Sequence, residues 1–155
     1  MHAPTGHWSD LAADLLERLR ENTPRVHCIT NNVAQNFTAN VLLAAGAIPS
    51  MTISTEEVGA FARRADALLV NLGTFDGGRR AATEAALAQV AQGGKPWVLD
   101  PVLIDRSPPR ASYARELAAR KPSAIRLNQT EFLAIAEAVP PEIYARRNTS
   151  VIALT

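Results

Sequence analysis

Cysteine is nearly absent from this sequence: Cys28 stands alone among 155 residues, so no internal disulfide can staple the fold. It lies in the apolar run Val26-His27-Cys28-Ile29, where a free thiol behaves as a small hydrophobe, and nothing near it in sequence lowers a thiol pKa. Long apolar runs are missing too. The longest, near Val41 to Ile48 and Ala65 to Val70, fall well short of the ~20 residues a membrane helix needs. Met1 to Trp8 has neither the basic start nor the apolar centre of a secretion signal, which makes the cytoplasm the expected location. Charge of one sign is lacking as well, with 16 basic residues against 15 acidic ones and a net charge of +1. The pairs Arg63-Arg64, Arg79-Arg80 and Arg146-Arg147, on expected helices or loops, carry no interleaved aromatic platform. They read as solvated faces, and nucleic acid is not expected as the main partner. Neither a P-loop nor the G-x-G-x-x-G fingerprint of a dinucleotide dehydrogenase occurs, and His2, His7 and His27 have no partners at zinc-ligand spacing.

What is present is alternation. With 47% apolar residues, the chain can bury a sizeable core. Leu11, Leu15 and Leu19 recur every four residues after Ser9, which suits an N-cap, and predict an N-terminal helix. Val26 to Ile29 predicts a strand. Asn31 or Asn32 can cap the next helix, with Phe37, Val41 and Leu42 on its buried face and Gly46 as its left-handed stop. Ala47 to Met51 follows as a strand, then a helix opened by Ser54-Thr55-Glu56-Glu57, whose spacing is that of a capping box. Further strands are predicted at Ala67 to Leu72, Trp97 to Leu99, Ala124 to Leu127 and Val151 to Leu154. Helices are expected around Gly78 to Gln92, Tyr113 to Arg120 and from Asn128 onward, with a loop over Asp105 to Arg110. The pattern is that of an α/β fold: a mainly parallel sheet with helices on both faces, forming one domain or part of one.

Such sheets bind ligands beyond the carboxyl ends of their strands. The polar residues expected there are Thr30-Asn31, Met51-Thr52, Asn71 with Gly73-Thr74, Asp100-Pro101, and Arg126 with Asn128, although turn chemistry alone also favours Asn, Gly, Thr and Asp at such places. Asp100 directly follows Trp97-Val98-Leu99, so its carboxylate suits a hard cation; an Asp-Pro turn is the alternative. Asn128 and Glu131 have the spacing of reciprocal helix capping, and Glu131 in that first turn can also hold a water on a metal ion. Arg126, between Ile125 and Leu127, needs a partner or an opening, either an anionic ligand or a structural carboxylate.

The blocks VHCITNNVAQNFTANVLLAAGAIPSM, STEEVGAFARRADALLVNLGT, GKPWVLDPV and IRLNQTEF resemble, in order, successive blocks of the hydroxyethylthiazole kinases, members of the ribokinase-like superfamily. The resemblance implies that residues 1–155 are the N-terminal portion of a single ribokinase-like kinase domain. It implies ATP- and Mg2+-dependent phosphorylation of 4-methyl-5-(2-hydroxyethyl)thiazole, in thiamine synthesis or salvage, by a homotrimer with sites between subunits. By position, Met51 matches the methionine that contacts the thiazole, with Asn31 approaching the same pocket. Arg126 matches the arginine that contacts ATP, and Asp100 and Glu131 resemble the magnesium-side carboxylates. The glycine-rich anion hole and the catalytic base are expected beyond Thr155, and Cys28 does not match that base. Two departures stand out: Leu103-Ile104-Asp105 replaces a frequent Gly-Ala-Gly, with consequences expected for the pocket, and Leu127 replaces a small residue, which is expected to narrow the phosphate approach. Alternatives are a non-catalytic remnant that binds a small heterocycle or another chain through an uncovered sheet edge, and a related small-alcohol kinase.

Overall fold

The computed structural model describes residues 5–136, 145–147 and 150–154, with side chains for 9–136. In chain order the elements are α1 (Thr5–Asn22), β1 (Arg25–Ile29), α2 (Gln35–Ala45), β2 (Ile48–Ser50), α3 (Val58–Arg64), β3 (Ala67–Asn71), α4 (Gly77–Gly93), β4 (Trp97–Asp100), α5 (Pro108–Ala118), β5 (Ala124–Leu127), α6 (Gln129–Ile135), β6 (Ala145–Arg147) and β7 (Ser150–Leu154). A 3-10 turn, Ile104–Arg106, precedes α5. No helix among the described residues is long and apolar enough to cross a membrane.

The strands form one sheet in the order β2-β1-β3-β4-β5-β7-β6. The first five are parallel, as expected for short continuous apolar runs such as Leu68-Leu69-Val70 and Val98-Leu99, in which Leu68, Val70 and Leu99 are buried and Leu69 and Val98 partly so. β7 pairs antiparallel with β5, and β6, which the sequence pattern did not announce, pairs antiparallel with β7. Arg146 and Arg147 therefore lie in a strand rather than a helix or loop.

Strand order reverses at β1: the chain steps from β1 outward to β2, then back past β1 to β3. With right-handed crossovers, α2 lies on one face and α3, α4 and α5 on the other. The reversal also leaves a crevice between the carboxyl ends of β1 and β3, where doubly wound sheets take their ligands. The main core fills the face under α3 to α5, with Leu68, Val70, Leu99, Leu117 and Ile125 at 0–1% exposure.

Several local expectations are corrected. Ser9 lies inside α1, which already begins at Thr5. Neither Asn31 nor Asn32 caps α2; a turn over residues 32–34 intervenes, and the helix starts at Gln35 with no side-chain cap. The expected buried face of α2 is not buried either: no α2 residue reaches full burial, and Phe37 is 72% exposed. Gly46 does stop the helix, at φ 98°.

The box expected at Ser54 to Glu57 does not form. Its residues make a turn, α3 begins at Val58, and the Glu57 carboxylate is taken by the Thr52 hydroxyl. Pro108 and Pro109 open α5 instead of prolonging a loop, because proline lacks only an N–H that the first helical turn leaves unpaired. Leu127 is 1% exposed and joins the core on the sheet face opposite Arg126, by strand alternation, so it does not narrow an approach beside that arginine.

Candidate functional site

The carboxyl ends of β1, β3, β4 and β5 are joined by a continuous chain of polar side chains. At its first end, the Asn31 Oδ1 accepts the Ala34 N–H at 2.8 Å, which closes the turn before α2. That bond fixes the Asn31 amide, leaving its Nδ2 to donate to the Asn71 Oδ1 at 3.0 Å. The same Asn71 Oδ1 accepts the Gly73 N–H at 3.0 Å. The Asn71 Nδ2 therefore donates to the Asp100 Oδ2, at 2.8 Å. Arg126 Nη1 closes the chain, 3.2 Å from the Asp100 Oδ2 and 3.4 Å from Oδ1.

Asp100 is the last residue of β4 and is 8% exposed. Burial pushes its carboxyl above the usual range, the Arg126 guanidinium and the Asn71 amide pull it back, and nearby Glu131 adds to the rise. The Arg126 side chain is 62% exposed, so the long ion pair contributes about 0–1 kcal/mol and leaves the guanidinium free to turn elsewhere. Both sequence-level solutions for Arg126, a carboxylate partner and an opening to solvent, coexist in this geometry.

Glu131 is buried, and each carboxylate oxygen accepts a backbone N–H: Oε1 from Leu103 at 2.7 Å and Oε2 from Asn128 at 2.8 Å. The Asn128 Oδ1 in turn accepts the Glu131 N–H at 2.8 Å, completing the capping box read from the sequence. Glu131 thus braces the Pro101 to Leu103 loop against α6. That loop is held in an unusual shape, with Val102 and Leu103 at φ 45° and 53°, and a glycine would adopt the second without strain. Within Leu103-Ile104-Asp105, Ile104 packs into the core and Leu103 is half-exposed to solvent. No group of three or more His, Cys, Asp or Glu able to hold a metal occurs among the described residues.

Met51 lies just past β2, on an open cavity of ≈ 450 Å³ that it lines with Asn32, Gln35, Asn36, Ala39, Pro49 and Ser50. Asn31 is not part of that lining; its side chain turns inward to Asn71 while its neighbour Asn32 faces the cavity. Behind Ser50 lies His27, fully buried, with Nδ1 2.8 Å from the Ser50 Oγ and its ring stacked on Phe61. Burial lowers the His27 pKa, opposed by the backbone of Thr52. Cys28 beside it is buried, and its thiol is pushed up to about 11, so it is no nucleophile or base near neutral pH. Cavities beside Arg25 and beside Trp97 lie at the opposite, amino-terminal ends of the strands.

Arg79 overturns the expectation of a solvated arginine pair. It is 8% exposed, its Nε donates to the Thr30 carbonyl at 3.2 Å, and its two terminal nitrogens donate to Asp76 and Asn32. Asp76 also caps α4 by accepting the Arg79 N–H at 2.7 Å, the leading reason its carboxyl titrates below the usual range. Arg80, by contrast, is half exposed, pairs with Glu116 and lies over the Tyr113 ring. The sequence offered one signal for Arg79: an Asp three residues earlier at a helix start, which pairs cap and guanidinium on one turn. For Asn71 the signal was a polar residue ending an apolar strand.

A mainly parallel sheet with reversed strand order, whose carboxyl ends carry a buried carboxylate, an amide chain and a loosely paired guanidinium, defines a doubly wound α/β domain. The chain belongs to the hydroxyethylthiazole kinase family, whose model matches residues 16–141. It is 48% identical over 126 residues to a probable hydroxyethylthiazole kinase of Agrobacterium fabrum, covering 81% of this chain and 51% of that protein. It is 50% identical over 124 residues to a hydroxyethylthiazole kinase of Cronobacter sakazakii, covering 80% and 47%. Among solved structures, a hydroxyethylthiazole kinase protein from Pyrococcus horikoshii superposes with a TM-score of 0.78 at 38% identity, over 83% of this chain and 50% of that one. The chain spans about half the length of the curated relatives it matches.

Proposed function

We propose that the protein serves the transfer of the ATP γ-phosphoryl group to the hydroxyl of 4-methyl-5-(2-hydroxyethyl)thiazole, in thiamine synthesis or salvage. The observation that carries this reading is the Asp100–Arg126 pair at the carboxyl ends of β4 and β5: a buried carboxylate beside a guanidinium that is loosely held and largely exposed. Arg126 turned toward phosphate offers bidentate contact and releases Asp100. Magnesium, when bound, neutralises phosphate charge, and it needs only one or two carboxylates besides waters and phosphate oxygens.

The residues present fit that demand. The Asp100 Oδ1 holds only the 3.4 Å contact, and each Glu131 oxygen, although engaged by one N–H, keeps a second lone pair for a metal-bound water. Met51 supplies a polarizable thioether to a heterocycle in the cavity it lines, and Asn32, Gln35 and Asn36 supply neutral hydrogen-bonding groups there. Asn31 acts on the same side by fixing the turn that carries Asn32. In the transfer itself the alcohol oxygen bonds to the γ-phosphorus, the bond to the ADP oxygen breaks, and the alcohol proton leaves to a base. The residues described here bind and orient, and none of them is assigned as that base. ATP as co-substrate supports the cytoplasm as the location. The exposed apolar residues Phe37, Val41 and Leu43 of α2, beside the Met51 cavity, support a homotrimer whose copies meet near the site.

The test is calorimetric titration of the chain with ATP, with and without magnesium, together with a phosphorylation assay on the thiazole. Asp100→Asn should weaken magnesium-ATP binding about tenfold or more, the loss of a charge-assisted interaction of ~1.5–3 kcal/mol, and should not weaken magnesium-free ATP binding. Equal affinities in both proteins refute the metal-side role. Transfer only to another alcohol favours a related kinase. Thiazole binding without transfer favours a binding role, the second reading.

A further inference from the structure

Asn71 stands at the middle of the chain of polar side chains across the strand ends and belongs to no role assigned so far. It is 9% exposed, at the last position of β3, with Asp100 as its register partner on β4. The backbone ladder already joins β3 to β1 and β4, so the side chain is not needed to hold the strands together. Its amide nevertheless has a fixed sense. The Gly73 N–H can bond only the carbonyl end of the carboxamide, which forces the amino end onto the Asp100 carboxylate. Asn31 is fixed the same way by the Ala34 N–H, so every amide in the chain points its donor toward Asp100. Gly73 keeps the junction tight. A Cβ there would stand 2.8 Å from the Asn31 Cβ and 2.9 Å from the Asn71 Oδ1, which is closer than side chains pack.

Resting on the reading of Asp100 and Arg126 as the nucleotide side and of the Met51 cavity as the heterocycle side, we propose that Asn71 is a positioning residue that couples the two. It holds the Asp100 carboxylate and the Asn31–Asn32 turn in one register, so that a change at Asp100 is felt at the cavity. The physical route is polarisation along aligned hydrogen bonds. The charge on Asp100 draws the Asn71 N–H outward, enriches the Asn71 Oδ1, and strengthens the bond from the Asn31 N–H. By linkage, what binds at the cavity acts back on Asp100 to the same extent. A side chain that merely filled space would transmit neither effect.

The experiment reads the side-chain amide resonances of Asn31 in the 15N-labelled chain. Asp100→Asn should shift the Asn31 amide protons upfield. In an Asn71→Leu background the same Asp100→Asn change should move them not at all. Absence of the first shift, or the same shift in both backgrounds, overturns the coupling. Should Asn71→Leu not fold, Gly73→Ala breaks the Asn31–Asn71 contact by steric pressure and must likewise abolish the response. A second arm adds magnesium-ATP to the unaltered chain. Joint shifts at the Arg126 guanidinium and the Asn31 amide support the coupling, and shifts at Arg126 alone overturn it. No shift at Arg126 refutes the nucleotide reading, and the ligand-free comparison then decides the coupling by itself.

Discussion

Replacing Arg79 with methionine keeps most of the stem's volume and removes the guanidinium that ties α4 to the turn after β1. Three groups lose a partner: the Thr30 carbonyl, the Asn32 amide oxygen and the Asp76 carboxylate. Their costs differ with exposure. Asp76 is solvated and still accepts the Arg79 N–H, and water can serve the exposed Asn32. Thr30 is 5% exposed, so its carbonyl loses a charge-assisted bond with poor access to solvent. Such a bond contributes ~1.5–3 kcal/mol, and an unpaired buried acceptor costs ~1–3 kcal/mol, overlapping descriptions of one loss rather than separate ones. Relief from desolvating the guanidinium offsets part of it. The net expectation is a destabilisation of about 2 kcal/mol, which lowers the urea midpoint by roughly 1 M for a slope of ~2 kcal/mol per M. Urea unfolding followed by circular dichroism measures it. Arg79→Lys, which keeps charge but not the three-way fork, should fall between the two proteins. A loss below about 0.5 kcal/mol for the methionine variant would refute the claim that this arginine holds the turn.

His27 gives a pH signature. Burial lowers its folded-state pKa below the ordinary 6.5, so the unfolded chain binds the proton more readily. The His27 contribution is therefore lost progressively as pH falls through about 6.5 toward the folded-state value. Unfolding free energies at pH 7.5 and 5.5 should drop more in the unaltered protein than in His27→Gln, and parallel losses would count against a buried neutral imidazole. Leu103→Gly should stabilise the protein by about 0.5–1 kcal/mol. A left-handed leucine costs ~1–2 kcal/mol, partly cancelled by the ~0.5–1 kcal/mol that glycine loses in chain entropy. A lower urea midpoint for that variant would show that the loop is not strained at Leu103.

Local chemistry carried much of the fold into the sequence. Runs such as Leu68-Leu69-Val70 declared parallel strands, Gly46 declared a left-handed helix end, and Asn128 with Glu131 declared a capping box, because each depends on neighbours within a few residues. The same locality explains the failures. Phe37, Val41 and Leu42 have the spacing of a buried face, but spacing cannot say whether a second layer lies above them, and among the described residues none covers Phe37. Arg79 looks solvated beside Arg80 until α4 packs against the β1 turn, 49 residues away in sequence, and closes over it.

The sequence by itself determined the α/β class, the family blocks and the candidate carboxylates, because strand and helix periodicity and short polar turns are written in adjacent residues. Only the tertiary structure decided that Asn31, Asn71, Asp100 and Arg126 form one chain across four strand ends, since parallel register and the reversal of strand order bring them together. It also decided that Asn32 rather than Asn31 faces the Met51 cavity. A single backbone N–H, that of Ala34, captures the Asn31 amide and turns it inward toward Asn71.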